Sequence, residues 1–364
     1  MRYGRVTDAA DRFMRHRPER EEAEVAPRPG VRPTMNDVAA DAGVSLKTVS
    51  RVVNDVSTVD PALVEKVVAS IGKLGFRRNG VAASLRSGGE TLMIGLITAD
   101  LSNVFYTTLS SAVASVARSR GYQVIMASSE ENPDIERSVA LDLCQRRVSG
   151  LIVVPTSADH SYLKREVDLG IPIVFVDRPG PGLEADAIVV DNRGGARLAI
   201  ERLVGAGHRR IGLLMDSLEI YTMRERLGGA MDALAAARII ADPALTSEDV
   251  HSPDDAITAM SRMLDLPQPP TAVFCGNNRG TIGAVEELWG RRANVEVVGF
   301  DDFEMSRLLP QAVTIVDYDT SALGTLAAEQ LFARIDGASS APAEQLLPTH
   351  LVTRGASWPH LDGA

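Results

Sequence analysis

The sequence predicts two architectures in one chain: a small all-α helix-turn-helix domain with a hinge helix, and behind it an α/β two-lobed body of two doubly wound parallel sheets. Three observations predict this. Between Thr34 and Leu74, apolar residues recur at helical spacing in three short segments, broken at Gly43 and again before Asp60 and Pro61. From Leu92 onward, short runs of β-branched and aliphatic residues alternate with amphipathic stretches, the pattern of strands buried on both faces and covered by helices. That alternation runs through twice, and 364 residues are too many for a single core.

Residues 1–32 mix both charges with Pro18, Pro27 and Pro29 and carry no sustained apolar period, so a disordered extension is expected there. Residues 33–78 form the helical domain. Thr34 is placed to cap a helix carrying Val38, Ala39 and Ala42, which Gly43 ends. Ser45 caps a second helix, and Asp60 with Pro61 opens a third containing Val64, Val67, Val68, Ile71 and Leu74. Residues 79–90 are hinge and linker, and residues 91–357 the body. Its first lobe is expected over about 91–190 plus 319–345, its second over about 191–318 plus 346–357. Strands are expected at 92–98, 123–127, 150–154, 172–176 and 187–190, then at 210–215, 272–275 and 295–300. Helices are expected at 109–120, 135–146, 224–237 and 254–264. In open sheets of this kind ligands sit beyond the carboxyl ends of the strands, so a cleft between the lobes is the expected binding place.

The stretch GVSLKTVSRVV (43–53) carries valines at 44, 49, 52 and 53, which bury one helical face and turn Leu46, Lys47, Thr48, Ser50 and Arg51 away from it. Three uses compete for that outward face: an ordinary solvated surface, part of a catalytic site, or a helix offered to DNA. A helix-turn-helix needs a small residue at the turn, apolar residues locking two helices, and a polar N-terminal face on the second. Residues 35–54 supply each. Ser45 and Thr48 reach phosphates, while Lys47 and Arg51 reach phosphates or base edges. In NGVAASLRS (79–87), Leu85 beside Arg86 suits an apolar wedge inserted into a kinked minor groove. A plain interdomain linker fits that segment equally well.

Composition narrows the field. The net charge of −10 is uneven: residues 31–90 carry +2, residues 1–30 carry +1, and the remainder is strongly acidic. Local DNA contact on a body kept off non-specific sites fits that split. The N-terminal segment is too charged for a secretory signal and no apolar run is long enough to span a bilayer, so a cytoplasmic protein is expected, with no membrane partner. Cys144 and Cys275 are too few for a zinc set or disulfide framework and read as buried thiols. No metal site and no cofactor are expected, because the six histidines show no ligand spacing and no phosphate-binding or dinucleotide loop occurs. His208 in GHRRIG reads as the end of a helix. SYLK (161–164) matches a hydrolase S-x-x-K, but its companion signatures are missing. No catalytic residue is assigned, and an enzyme is not expected.

The segments NDVAADAGVSLKTVSRVVN and LGFRRNGVAASLRSG, followed in order by IGLITADLSNVFY, RRVSGLIVVP, IPIVFVDR, VVDNRGGARLA, GHRRIGLL, RERLGGA, PPTAVFCGNN and VVGFDD, resemble the lactose/galactose repressor (LacI/GalR) family of bacterial transcription regulators. The resemblance runs from about Thr34 to Ser357. It implies a body like the type I periplasmic binding proteins, and a homodimer, in some members paired into tetramers, on a pseudo-palindromic operator. It implies base reading by Leu46 and Lys47, further contacts from Ser50, Arg51 and Asn54, and a hinge that folds only when dimer and operator are both present. The DNA-facing set is thus Thr34, Ser45, Leu46, Lys47, Thr48, Ser50, Arg51, Asn54, Asn79, Leu85 and Arg86.

The same resemblance implies a small-molecule effector between the lobes, a sugar first of all, held by Asp177, Arg224, Asn277 and Asp301, with Phe105 and Tyr106 stacking on it and Tyr318 close by. For Asp177 and Asp301 the competing reading is a helix cap at a strand end. Departures from the family pattern are Asn278 in place of Asp, Tyr318 in place of Gln, Val104 in place of Pro, and a segment 289–296 shorter by about four residues. They leave room for a purine or another non-sugar ligand acting as corepressor. An exported solute-binding protein shares the two-lobed body but needs an export signal where this chain has helices.

Overall fold

Capping residues set the limits of the N-terminal helices. In the computed structural model, which describes residues 33–54, 56, 58–77, 92–309 and 311–355, α1 spans Met35–Ala42, α2 Leu46–Val53 and α3 Pro61–Leu74. Thr34 and Asp37 form a reciprocal capping box on α1, Ser45 accepts from the Thr48 N–H on α2, and Asp60 accepts from the Ala62 N–H before Pro61. Gly43 closes α1 with φ +64°, a left-handed conformation that a side chain would strain. Val38, Ala39, Val49 and Val67 form the buried centre, and Val44, Val52, Val53, Ile71 and Leu74 pack around it. The Lys73 ammonium meets Asp41 at 2.7 Å, joining α3 to α1.

The chain divides into two units between Gly89 and Glu90. The expected extension at 1–32, and Asn79, Leu85 and Arg86 of the expected hinge helix, lie outside the described residues.

The second unit holds two six-stranded sheets wired alike. The first comprises β1 (Met93–Thr98), β2 (Gln123–Ser128), β3 (Leu151–Val153), β4 (Ile173–Asp177), β5 (Asp186–Val190) and β11 (Glu344–Leu347), in the order β11-β5-β4-β3-β1-β2. The second comprises β6 (Ile211–Leu214), β7 (Thr246–Ser247), β8 (Ala272–Cys275), β9 (Glu296–Phe300), β10 (Val313–Asp317) and β12 (His350–Arg354), in the order β12-β10-β9-β8-β6-β7. Among the described residues the one departure from parallel pairing is β12, which runs antiparallel to β10. Over it lie α4 (Val104–Ser119), α5 (Pro133–Gln145), α6 (Lys164–Asp168), α7 (Asn192–Gly205), α8 (Tyr221–Ala236), α9 (Pro253–Leu264), α10 (Asn278–Arg291) and α11 (Thr320–Ile335).

Each strand expected by its apolar run is present; most are buried and read as continuous hydrophobic stretches, while the edge strand β2 is only half-buried. Several elements differ. Helix α4 starts five residues before the expected Leu109, since Asn103 accepts from the Phe105 N–H and caps it there. No helix joins β4 to β5, where Pro179, Gly180, Pro181 and Gly182 break the pattern. Leu346 and Leu347 pair with Val189 and Val190, so the last crossing between lobes lies beyond the expected residue 345; four backbone pairings outweigh the polarity of Glu344 and Gln345. The His208 ring does not cap a helix end but faces Thr271 Oγ1 at 2.9 Å and Glu296 Oε2 at 2.8 Å. The chain passes between the sheets after β5, after β10 and after β11, and that triple crossing leaves two lobes with a cleft at their strand ends.

Candidate functional site

On α2, Leu46 is 47% exposed, and Ser45, Lys47, Arg51 and Asn54 are exposed beside it, while Val49 is fully buried. Lys47, Arg51 and Asn54 follow helical spacing and share one face. Not every hydroxyl on that helix is free. Ser45 Oγ and Thr48 Oγ1 lie 2.8 Å apart and Ser45 also takes the Thr48 N–H, so both serve the cap. Ser50 and Thr48 are half-buried, and Asn54 Nδ2 donates to the Ser50 carbonyl at 2.7 Å. The Arg51 guanidinium donates to Thr58 Oγ1. Thr34 is exposed, its hydroxyl donating to Asp37 Oδ2 at 2.8 Å. What this face offers an outside partner is the apolar Leu46 with the exposed Lys47 beside it, and the exposed Arg51 once it leaves Thr58.

The cleft of the second unit is lined from the carboxyl ends of both sheets. Asp100, Asn103, Phe105 and Tyr106 follow β1; Glu131 follows β2; Asp177 and Arg178 end β4. From the other lobe come Asp216, Thr222, Met223 and Arg226, His251, Asn277 and Arg279, Asp301 after β9, and Tyr318 after β10. Of the residues expected here, Phe105, Tyr106, Asp177, Asn277, Asp301 and Tyr318 line the cavity. Arg224 does not. Its guanidinium turns back onto the carbonyls of Leu218 and Glu219, both at 2.8 Å, and is exposed. Arg226, two residues further along α8, is the guanidinium in the cavity. Residues two apart on a helix point to nearly opposite sides, and Arg226 shares the buried face with Met223, Gly229 and Ala230. Gly229 is required there because a Cβ would stand 2.0 Å from the Arg193 carbonyl of α7.

Arg226 is fully engaged. It donates to Asn192 Oδ1 at 2.8 Å and the Gly276 carbonyl at 2.7 Å, grips Asp301 at 2.8 and 3.2 Å, and lies 3.7 Å from the Phe300 ring centroid. Tyr318 donates its hydroxyl to Asp301 Oδ1 at 2.7 Å. In the first lobe Arg178 grips Glu131 at 2.5 and 2.8 Å and donates to the Pro155 carbonyl and the Tyr106 hydroxyl. Arg279 meets Asp100 at 2.5 Å. Among the described residues every guanidinium in the cleft is therefore neutralised by a carboxylate, and breaking the most buried of these pairs, Arg226–Asp301, costs about 3–5 kcal/mol.

Asp177 stands apart. Among the described residues its carboxylate accepts no hydrogen bond, its nearest cation being Arg178 Nε at 3.5 Å, and only 4% of the residue is exposed. Burial pushes its carboxyl up to about 6 against the pull of Arg178 and Arg226. Asp177 and Asp301 occupy matching strand ends in the two lobes, with φ of 71° and 70°. Left-handed backbone at a non-glycine residue costs on the order of 1–3 kcal/mol and persists where the surroundings dictate it. Neither is a helix cap. That role falls to Asn277, whose Oδ1 accepts the Gly280 N–H at 2.7 Å at the start of α10. The aromatic side is Phe105, 4.8 Å from the Tyr106 ring and 6.3 Å from Tyr318. Burial holds the Tyr106 and Tyr318 hydroxyls protonated, well above the ordinary tyrosine range.

Arg226 continues the buried spacing of α8 with Met223, Gly229 and Ala230, but nothing in the sequence prefers it to Arg224 until α8 is phased against α7. Glu131, Arg178, Asp216 and His251 carry no comparable signal; they sit in loops, and only the fold brings them together. Elsewhere, Ser161 donates to Asp159 and Lys164 pairs with Asp168 at the surface, so the S-x-x-K string is not a paired site. Cys144 and Cys275 are free and buried. Among the described residues no helix is long and apolar enough to cross a membrane, and no cluster of His, Cys, Asp or Glu is arranged to hold a metal ion.

An exposed recognition-type helix in one unit and a polar, aromatic-edged cleft between two parallel-sheet lobes in the other define a DNA-binding regulator with a ligand-binding body. The comparisons with known proteins agree. Residues 34–79 match the bacterial regulatory proteins of the lacI family, and residues 91–354 the periplasmic binding proteins and sugar binding domain of the LacI family. The chain belongs to the LacI family. It is 31% identical to the HTH-type transcriptional regulator CelR of Thermobifida fusca, over 89% of this chain and 98% of that protein. It is 33% identical to the HTH-type transcriptional repressor PurR of Proteus mirabilis, over 83% and 90% respectively. Among solved structures, the lac repressor dimer bound to operator and the anti-inducer ONPF superposes with a TM-score of 0.75 at 29% identity, covering 88% of this chain and 98% of that one. The CelR–cellobiose complex gives 0.64 at 30% identity over the same shares.

Proposed function

We propose that this chain is a cytoplasmic repressor that binds operator DNA as a homodimer through α2, with Leu46, Lys47 and Arg51 reading bases, and that an uncharged sugar in the interlobe cleft controls its affinity. The observation that carries the ligand reading is the state of the cleft's charges. Arg178, Arg226 and Arg279 are each held by a carboxylate, so among the described residues no guanidinium in the cleft is left over for a phosphate or acid group. Asp177 accepts no hydrogen bond among the described residues, its contact with Arg178 Nε being 3.5 Å, and the Phe105 ring lines the cavity. Hydroxyls donating to a carboxylate while an apolar sugar face rests on an aromatic match that inventory. Asp216, which accepts from the Ser217 N–H and faces His251 Nδ1 at 3.2 Å, extends it on the opposite lobe.

The reading is supported by the relatives: the lac repressor structure carries operator and ONPF, and the CelR structure carries cellobiose. The test is a thermal-shift screen of the full chain with neutral mono- and disaccharides, sugar phosphates and nucleobases. A ligand at 100 times its Kd stabilises the native state by about 2.7 kcal/mol. A neutral sugar is expected to raise the melting temperature and to change operator affinity in the same titration. Stabilisation by a nucleobase or a sugar phosphate, with neutral sugars silent, refutes the ligand assignment.

A further inference from the structure

The two lobes are tied across the cleft by side chains of opposing helix N-termini. On the second lobe Asn277 caps α10, so Asn278 and Arg279 occupy its first turn. A cation there is opposed by the positive end of the helix dipole, and its placement calls for a compensating anion. That anion comes from the other lobe. Asp100, in the loop after β1, accepts the Ser102 N–H through Oδ1 at 2.7 Å, which turns Oδ2 to Arg279 Nη2 at 2.5 Å. The same nitrogen donates to Ser102 Oγ at 2.8 Å. Next to this pair Asn278 Nδ2 donates at 3.1 Å to Asn103 Oδ1, the very atom that caps α4. Asn278 is only 5% exposed, and its own Oδ1 has no partner among the described residues. An aspartate at 278, the commoner residue in the resemblance drawn above, has no N–H to give Asn103; asparagine does.

Burial pushes the Asp100 carboxyl up, but the Ser102 hydrogen bonds and the Arg279 charge outweigh it and hold the group below the ordinary carboxylate range. Both partners are partly exposed, with side-chain exposures of 25% and 30%, so the pair lies toward the rim of the cleft rather than on its floor. We propose that Arg279 and Asp100, with Asn278 and Asn103 beside them, form a clasp that holds the lobes closed when the cleft is empty. Arg279 is thus a positioning residue that sets how far the closed state is populated before any effector binds. Asp100, Asn103 and Arg279 also line the cleft, so on this proposal an effector bound there acts directly on the clasp. This inference does not depend on the effector being a sugar.

The test needs no ligand. Leu169 on the first lobe and Ile240 on the second are 68% and 94% exposed, whereas Cys144 and Cys275 are buried. Leu169→Cys and Ile240→Cys therefore allow donor and acceptor dyes to report interlobe distance by single-molecule energy transfer in the full chain, with one labelled subunit per molecule. In this background Arg279→Met, Asp100→Asn and the double variant are compared, with circular dichroism and operator binding as checks of fold. Each single variant is expected to lower the closed-to-open ratio roughly three- to fivefold, the order of one partly exposed ion pair. The double variant is expected to fall no further than either single one. An unchanged distance distribution in Arg279→Met overturns the clasp. So does an additive fall in the double variant, because the two side chains then act independently.

Discussion

Asp177→Asn isolates the strain stored in the cleft. The wild-type carboxyl is raised by burial from 3.8 to about 6. Below pH 3.8 the group is protonated in both folded and unfolded chains and has no effect. As pH rises toward 6 the unfolded chain releases its proton while the folded chain retains it. The folded state then binds more protons, so stability falls with rising pH and the full loss is reached above the folded value. Roughly two pKa units correspond to about 3 kcal/mol, of which about 2 kcal/mol develops between pH 4.5 and 7.5. Asparagine does not titrate, tolerates the φ of 71° that Asp177 adopts, and leaves Arg178 paired with Glu131. The variant's stability relative to wild type should therefore grow across that interval. It is read as the difference between the two proteins in urea unfolding of the body at a series of pH values. A constant offset from the altered contact with Arg178 does not matter, because the slope carries the argument. A difference that stays flat from pH 4.5 to 7.5 would refute the assignment of Asp177 as a buried, strained carboxylate. The same variant should lose effector response, since a carboxylate kept at the expense of stability is the expected signature of a binding group.

Three further expectations follow from the geometry. Arg51→Ala should weaken operator binding by about 1–3 kcal/mol in a gel-shift titration while the far-ultraviolet spectrum is unchanged; full retention of affinity removes Arg51 from DNA contact. Arg224→Ala should respond to effector like wild type, whereas Arg226→Lys, which cannot keep both Asp301 contacts along with Asn192 and Gly276, should respond weakly or not at all; the reverse ranking would restore Arg224 to the cleft. Glu136 is buried, accepting from the Thr156 N–H and hydroxyl, the Ser157 N–H and Tyr162. Burial pushes its carboxyl up, but the His160 ring 3.0 Å away and the hydrogen bonds from Thr156 outweigh it and hold it at about 2. Its contribution is thus present above its ordinary value of 4.5 and lost as pH falls toward 2. Glu136→Gln should lower neutral-pH stability by about 2–4 kcal/mol, and a variant melting with the wild type at pH 7 contradicts this.

Much of the molecule is legible in one dimension. The caps at Thr34, Ser45 and Asp60 and the turn at Gly43 act within four residues of themselves, so local pattern suffices to place α1, α2 and α3. Strands such as β4 and β8 are buried on both faces and announce themselves as unbroken apolar runs. Leu46 is conspicuous for the opposite reason: it is the apolar residue on the wrong side of the valine face, and the structure leaves it exposed.

Other features depend on contacts made across long stretches of chain. Choosing Arg226 over Arg224 needs the phase of α8 against α7, fixed where Gly229 meets the Arg193 backbone. The edge strands β11 and β12 are too polar to be read from their own residues; they form because β5 and β10 present unpaired backbone edges to the returning chain. The balance of charge in the cleft is likewise a tertiary fact: Glu131 lies 47 residues from Arg178, Arg226 lies 75 from Asp301, and Arg279 lies 179 from Asp100. The sequence by itself determined the N-terminal helices and the buried strands, because caps act within a turn and burial on both faces leaves an unbroken apolar run. Only the tertiary structure decided which charges neutralise one another and which carboxylate is left to meet a ligand, because electrostatics depends on distance in space and not on separation along the chain.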